Sequence, residues 1–162
     1  MIIIGIDPGI TGALAKVGIT GLLRVDDMPT LEKPGKTKVR REICGDGLTD
    51  LITDYLKGYS LNEVVCVVEF VSSNPGQGVA SVFSLGHSAG VIAGVLAAKG
   101  VTTEYVTPSR WKASCGLGRD KAESIAAAKA LFPNAEQWLK RKKDHNRAEA
   151  IMLAHFGATL YC

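Results

Sequence analysis

Ile2 to Ile6 is an unbroken run without a polar side chain, rich in β-branched residues, and predicts a strand covered on both faces. It stops at Asp7, where Pro8-Gly9-Ile10-Thr11-Gly12 supplies a tight turn. Ala13 to Val17 and Gly21 to Val25 follow as two more strands of a meander. Val64 to Val68 is a second fully apolar run, and it also stops on an acid, Glu69. Thr102 to Val106 reads as the fifth strand. Between these runs the spacing turns helical. Leu48, Leu51, Ile52, Tyr55 and Leu56 share one face of a helix that Asp46 would cap. Val79 to Ala98 carries no formal charge and is long enough to cross a bilayer. Its serines, glycines and His87 favour the buried central helix of a soluble domain, ended by Gly100. Thr107-Pro108 opens a helix with proline first. Asp120 and Glu123 have capping-box spacing ahead of a helix that Pro133 ends. A last amphipathic helix runs from about His145 to Ala158.

Three strands, a helix, a strand, a long helix, a strand and then helices predict an α/β fold. Its core is a mixed five-stranded sheet with helices on both faces. No repeat, low-complexity tract or linker divides the chain, so residues 1–162 read as one domain.

Composition adds little: 46% hydrophobic and 22% charged residues are ordinary for a globular protein. A net charge of +3 excludes a general polycation, so the position of charge matters more than its total. Lys33, Lys36, Lys38, Arg40 and Arg41 crowd a stretch with Pro34 and Gly35, which reads as a mobile basic loop or extended arm. Lys140-Arg141-Lys142-Lys143 is a second basic run. Cys44, Cys66, Cys115 and Cys162 form no CxxC pair, which argues against zinc and thioredoxin-like chemistry. With no basic leader before the first apolar run, the chain reads as a reducing, cytoplasmic protein with no membrane partner.

The acids carry the candidate chemistry. Neighbouring strands ending in Asp7 and Glu69 would set two carboxylates side by side. Asp144 and Glu149 lie at the start of the last helix and could join them. Clustered carboxylates repel, and a divalent cation removes that cost. Mg²⁺ takes oxygen ligands and suits such a cluster, with Mn²⁺ able to substitute. Two such ions would clamp the attacking and leaving oxygens of a phosphodiester. The plainer alternatives are a helix cap for Asp144 and a solvated first-turn acid for Glu149.

These residues resemble the RuvC family of Holliday junction resolvases. Ile4-Gly5-Ile6-Asp7-Pro8-Gly9-Ile10-Thr11-Gly12 is similar to that family's opening motif. Val67-Val68-Glu69-Phe70-Val71 is similar to the strand bearing its second acid. Ser84-Leu85-Gly86-His87-Ser88-Ala89-Gly90-Val91 resembles its long helix. Arg110-Trp111-Lys112, Gly116-Leu117-Gly118 and Lys121 resemble its lysine-bearing loop. Ala148-Glu149-Ala150-Ile151-Met152-Leu153-Ala154 resembles its closing helix. The likeness spans nearly the whole chain, and its compact length is closer to phage-type members. It implies an RNase H-like fold, a homodimer, Mg²⁺-dependent hydrolysis and four-way or branched DNA as substrate. It implies metal-ligand roles for Asp7, Glu69 and Glu149. The fourth ligand falls to Asp144, His145 or Asn146, with Asp144 favoured. Some relatives carry an aromatic wedge three residues after the second acid, where this chain has Ser72.

Lys112 and Lys121 flank the glycines and are candidates for the scissile phosphate, catalytic alongside the acids. Lys36, Lys38, Arg40, Arg41, Lys142 and Lys143 are candidate backbone contacts, which position DNA without reading its sequence. Gly86, Gly90 and Gly94 form one stripe of the long helix, facing either the sheet or the same helix of a second subunit. Trp111 and Trp138 read as core anchors, and His87 and His155 as structural residues among apolar neighbours. Three other functions compete with junction resolution. One is a nuclease on flaps or forks; one is a non-catalytic DNA-binding relative. The third is an actin-like ATPase, for which a single glycine turn is too little and which leaves Glu69 and Glu149 unexplained. No nucleotide cofactor is expected.

Overall fold

The structure is a computed structural model that describes residues 1–34, 39–73 and 75–161. Strands β1 (Ile2–Asp7), β2 (Ala13–Gly18) and β3 (Gly21–Asp27) form the meander, and β6 (Val64–Glu69) and β7 (Thr102–Val106) complete the sheet. The order is β3-β2-β1-β6-β7; β1, β6 and β7 are parallel, and β2 is antiparallel to both its neighbours. Two further short strands, β4 (Thr30–Lys33) and β5 (Arg40–Ile43), pair as a separate antiparallel hairpin. The helices are α1 (Gly45–Leu56), α2 (Val79–Lys99), α3 (Pro108–Ser114), α4 (Lys121–Leu131) and α5 (His145–Tyr161).

Strand alternation divides the core into two layers. Ile2, Ile4, Ile6, Val64, Cys66 and Val68 pack against α1 and α2. Ile3, Val65 and Val67 face α5, with Trp111 of α3 and Ala128 of α4 beside them. The expected mixed sheet with helices on both faces is therefore present. The approach of α5 is very close. A side chain on Gly5 would fall on the Ala150 carbonyl oxygen and the Ala154 amide nitrogen. A methyl on Gly157 would sit 2.6 Å from side-chain carbons of Ile3 and Val67. Gly157→Ala is expected to cost about 1–2 kcal/mol, the price of overpacking a tight core. A denaturant midpoint unchanged from wild type would contradict that packing.

Four local expectations change. First, α2 is not buried. Ser88, Ile92 and Leu96 are its buried residues, with Val91 and Val95 packed half-buried beside them, while Val79 and Phe83 are 88% and 75% exposed. Length and lack of charge make α2 the one helix among the described residues able by composition to cross a membrane. In this fold it lies along the sheet, anchored by Ile92 and Leu96. Its glycine stripe does not face the sheet either: a Cβ on Gly86, Gly90 or Gly94 would meet nothing within 4 Å. His87 is likewise exposed, stacked on Phe83. Second, the described parts of the basic stretch form strands: β4 pairs antiparallel with β5, and Lys33 pairs with Glu42 and Arg41 with Glu32. Third, α1 is capped by Cys44, whose Sγ accepts from the Gly47 amide, and not by Asp46. Fourth, Asp120 caps α4 through Ala122, but Glu123 turns to the Gly118 amide and does not close the box. Cys44, Cys66 and Cys115 are free thiols, and burial pushes Cys66 up to about 12.

Candidate active site

Ile6 of β1 lies beside Val68 of β6. The next residue of each strand, Asp7 and Glu69, thus comes level at the same edge of the sheet, on the α5 face. Helix α5 runs back across that face. Its Gly157 meets Ile3 and its Ala150 meets Gly5, so Glu149 arrives beside Asp7. Ala148 and Ala150 flank it, both fully buried, and their small side chains allow the approach. Burial, and then the nearby charges of Glu149 and Glu69, push the Asp7 carboxyl well above the usual carboxylate range; Lys121 and Lys112 pull it back. Burial also raises Glu69, with Glu149 adding to it and the Trp111 hydrogen bond opposing it. Asp7, Glu69 and Glu149, each from a different element, thus lie near enough for their charges to act on one another.

Cations are built into the same corner. Lys112 donates from Nζ to Glu149 Oε1 at 2.7 Å and lies over the Trp111 ring. Lys121 Nζ lies 3.0 Å from His145 Nε2, and its charge acts on Asp7. Trp111 is fully buried, as expected of a core anchor, yet its indole Nε1 also donates to Glu69 Oε2 at 2.8 Å. That second role left no trace in the sequence, because it joins residues on separate elements. Among the described residues, no three His, Cys, Asp or Glu side chains are drawn tightly enough together to hold a metal ion. Glu149 turns instead to Lys112, and Glu69 to Trp111. The donor chemistry still fits a hard cation: three carboxylates whose charges act on one another, with Asp7 and Glu69 in a setting that penalises ionisation.

Asp144 does not join the other three. Its side chain is 3% exposed and clasped by Arg141, which donates from its backbone amide at 2.8 Å, from Nε at 3.0 Å and from Nη2 at 2.6 Å. Arg147 adds a longer contact at 3.9 Å. The Arg141 hydrogen bonds hold the Asp144 carboxyl below its usual range. Its oxygens are engaged in closing the turn Lys142–Asp144 before α5, which removes the reason to assign it to a metal. Asn146 donates to the Thr11 carbonyl at 2.5 Å and so ties the start of α5 to the turn after Asp7. Arg147, which no motif in the chain marks out, grips both oxygens of Asp27 at 2.6 Å each.

Arg40, Arg41, Lys142 and Lys143 are all exposed. Lys36 and Lys38 lie outside the described residues. Ser72 is exposed, and Phe70, one residue after Glu69, is 50% exposed. Phe70 stands with Tyr105, Pro8 and Gly90 around an apolar cleft of about 400 Å³ that opens beside Glu69. His155 is half-buried against Phe132, and burial lowers its pKa.

No protein-family model matches the chain. Over 82 residues it is 37% identical to the chloroplastic Holliday junction resolvase MOC1 of Chlamydomonas reinhardtii; the match covers 49% of this chain but only 9% of that protein. RuvC of Thermus thermophilus, solved in complex with a Holliday junction substrate, aligns with a TM-score of 0.58 at 17% identity, covering 99% of this chain and 96% of its own. A second structure of Thermus thermophilus RuvC gives 0.59 at 18% identity, over 99% and 97% of the two chains. The fold is thus that of RuvC, the RNase H-like arrangement of a mixed five-stranded sheet between helices.

Proposed function

We propose that residues 1–162 form one nuclease domain that resolves four-way DNA junctions by metal-dependent phosphodiester hydrolysis. The observation that carries this reading is the convergence of Asp7, Glu69 and Glu149 from β1, β6 and α5, with Lys112 and Lys121 beside them. An ATPase or a binding module has no use for three mutually repelling acids at one sheet edge. The likeness to a junction resolvase over half the chain, and to the RuvC fold over all of it, supports the same reading.

Asp7, Glu69 and Glu149 would hold Mg²⁺, or Mn²⁺ in its place. When bound, such an ion would supply the chemistry of an activated water and of charge neutralisation at the departing oxygen. The chain's own groups do the rest. The Trp111 indole fixes one oxygen of Glu69 and leaves the other free to act. Lys112 balances Glu149 and can move to a phosphate oxygen when DNA arrives. Lys121, at the first turn of α4, faces the same strand. Asn146 holds the turn that follows Asp7 and so fixes where that acid points. Phe70 is the exposed aromatic nearest the acids and is suited to stack on an unpaired junction base.

The deciding experiment is incubation with labelled four-way junction, flap and linear duplex, with Mg²⁺, Mn²⁺ or EDTA. Paired cuts in the junction, an intact duplex and silence in EDTA are expected. Flaps or forks cut faster than junctions would favour a general branched-DNA nuclease. No cutting with either metal would end the catalytic reading.

Matched cuts in two strands call for two copies of the site, so the working unit is a two-fold dimer. The outward face of α2, with Phe83 and the stripe Gly86, Gly90 and Gly94, is an exposed apolar surface suited to the same helix of a second copy. Gly90→Leu should weaken assembly and leave the fold intact, because a Cβ there meets nothing within 4 Å and the residue opens onto a cleft. Light scattering after gel filtration reads the result. A wild-type protein that cuts junctions as a strict monomer at micromolar concentration would refute the dimer.

A further inference from the structure

The turn after β1, the β4–β5 hairpin and the start of α5 enclose a polar cleft of about 670 Å³, next to the acids but separate from them. Arg41, Lys121, Arg141, Lys143 and Arg147 line it, against the carboxylates of Asp27 and Asp144. Both carboxylates are consumed within the wall, Asp27 by Arg147 and Asp144 by Arg141. The remaining cations have little to balance them. Arg41 reaches Glu32 only at 3.5 Å. Lys143 has no hydrogen-bond or ion-pair partner among the described residues. Lys121 meets the His145 ring. The seventeen-residue helix α5 starts in the same wall, adding the positive end of its dipole. Lys121 belongs both to this cleft and to the surroundings of Asp7, so it joins the two along one path.

We propose that this cleft is a second phosphate site, which holds the backbone phosphate neighbouring the one cut at Asp7, Glu69 and Glu149. It rests on the nuclease reading and extends it. The cleft suits a phosphodiester oxygen because its unbalanced cations come from three separate segments, and a strand leaving the acids past Lys121 enters it directly. Arg141 and Arg147 shape the wall, while Arg41 and Lys143 supply charge without holding the fold. That division decides which variants can test the site.

The test is junction binding in EDTA, followed by fluorescence anisotropy over a range of salt. Arg41→Ala with Lys143→Ala is expected to weaken binding roughly ten-fold near physiological salt and to flatten the log–log salt slope by about two, one for each lost phosphate contact. Lys57→Ala with Lys99→Ala removes the same charge at the C-terminal ends of α1 and α2, outside the cleft lining, and should leave the slope alone. A second arm uses junctions with one neutral methylphosphonate linkage beside the mapped cut. That linkage should weaken wild type and have no further effect on the Arg41/Lys143 double variant. The proposal is overturned if the double variant matches the control in affinity and slope, or if the neutral linkage costs both proteins equally. A wild-type protein that binds and cuts junctions while giving either result loses only the second site. One that binds no branched DNA loses the nuclease reading and this site with it.

Discussion

Asp7→Asn is expected to reduce junction cutting by roughly 10³-fold or more and, at the same time, to make the protein harder to melt. The first effect follows from the proposed role of Asp7: its charge would help hold the divalent ion, which would supply the activated water and steady the leaving oxygen. The second follows from the site's own electrostatics. Burial and two neighbouring acids raise the Asp7 carboxyl well above its usual range. A carboxyl whose folded pKa exceeds its unfolded value, about 3.9, favours the folded state at low pH. That advantage fades as pH rises through the folded value, so the ionised form at neutral pH strains the fold. The amide carries no charge and relieves the strain. In EDTA at neutral pH the Tm of Asp7→Asn should exceed that of wild type, by roughly 2–4 °C for each kcal/mol relieved. The gap should narrow toward pH 4, where Asp7 itself is protonated. Glu69→Gln is expected to behave alike, with a smaller gain because it also gives up the charge that Trp111 bonds. Junction binding should persist or tighten in both, since fewer negative charges face the phosphates. An amide variant that is inactive but less stable than wild type at neutral pH would contradict this account of the site.

The part of this site that the sequence displays is the part built on buried strands. β1 and β6 are covered on both faces, so their apolar runs are unbroken and the acid that ends each is conspicuous. Parallel pairing then sets Asp7 and Glu69 level without further information. Glu149 is legible for a related reason: the alanines on either side of it are small because α5 presses on the sheet. What the sequence hid depends on contacts between elements. The Trp111 bond to Glu69, the Arg147 grip on Asp27 and the Asn146 tie to Thr11 each join distant segments through single polar atoms, and hydrophobic periodicity carries no trace of them. Helix α2 misled for another reason. A charge-free run says that a surface is apolar but not what covers it, and here the sheet and α1 cover a strip centred on Ile92 and Leu96. The β4–β5 hairpin escaped because its strands are short and its cross-strand partners are charged, which looks the same as a loop.

Asp144→Asn is expected to melt roughly 5 °C below wild type at neutral pH, yet to cut junctions within about ten-fold of the wild-type rate. The first figure reflects the clasp. Asp144 is buried and closes the turn before α5 through three bonds from Arg141, including one from its backbone amide. The penalty stays moderate because the Arg141 side chain is 53% exposed and water screens its charge. The sign of the pH dependence is opposite to that of Asp7. Arg141 holds the Asp144 carboxyl below its usual range, so its stabilisation is present above the unfolded value, about 3.9, and is lost as pH falls through the lower folded value. The Tm difference between wild type and Asp144→Asn should therefore shrink in acid, while the Asp7 contribution, common to both proteins, cancels from it. The modest loss of cutting comes from a looser start to α5, which shifts Glu149 and the Asn146 bond to Thr11. Arg141→Ala should reproduce the thermal defect, because it breaks the same clasp from its other end, although Arg141 also lines the phosphate cleft. If Asp144→Asn remains as stable as wild type but loses cutting as completely as Asp7→Asn, its carboxylate leaves Arg141 to serve a metal, and the clasp is only its resting place.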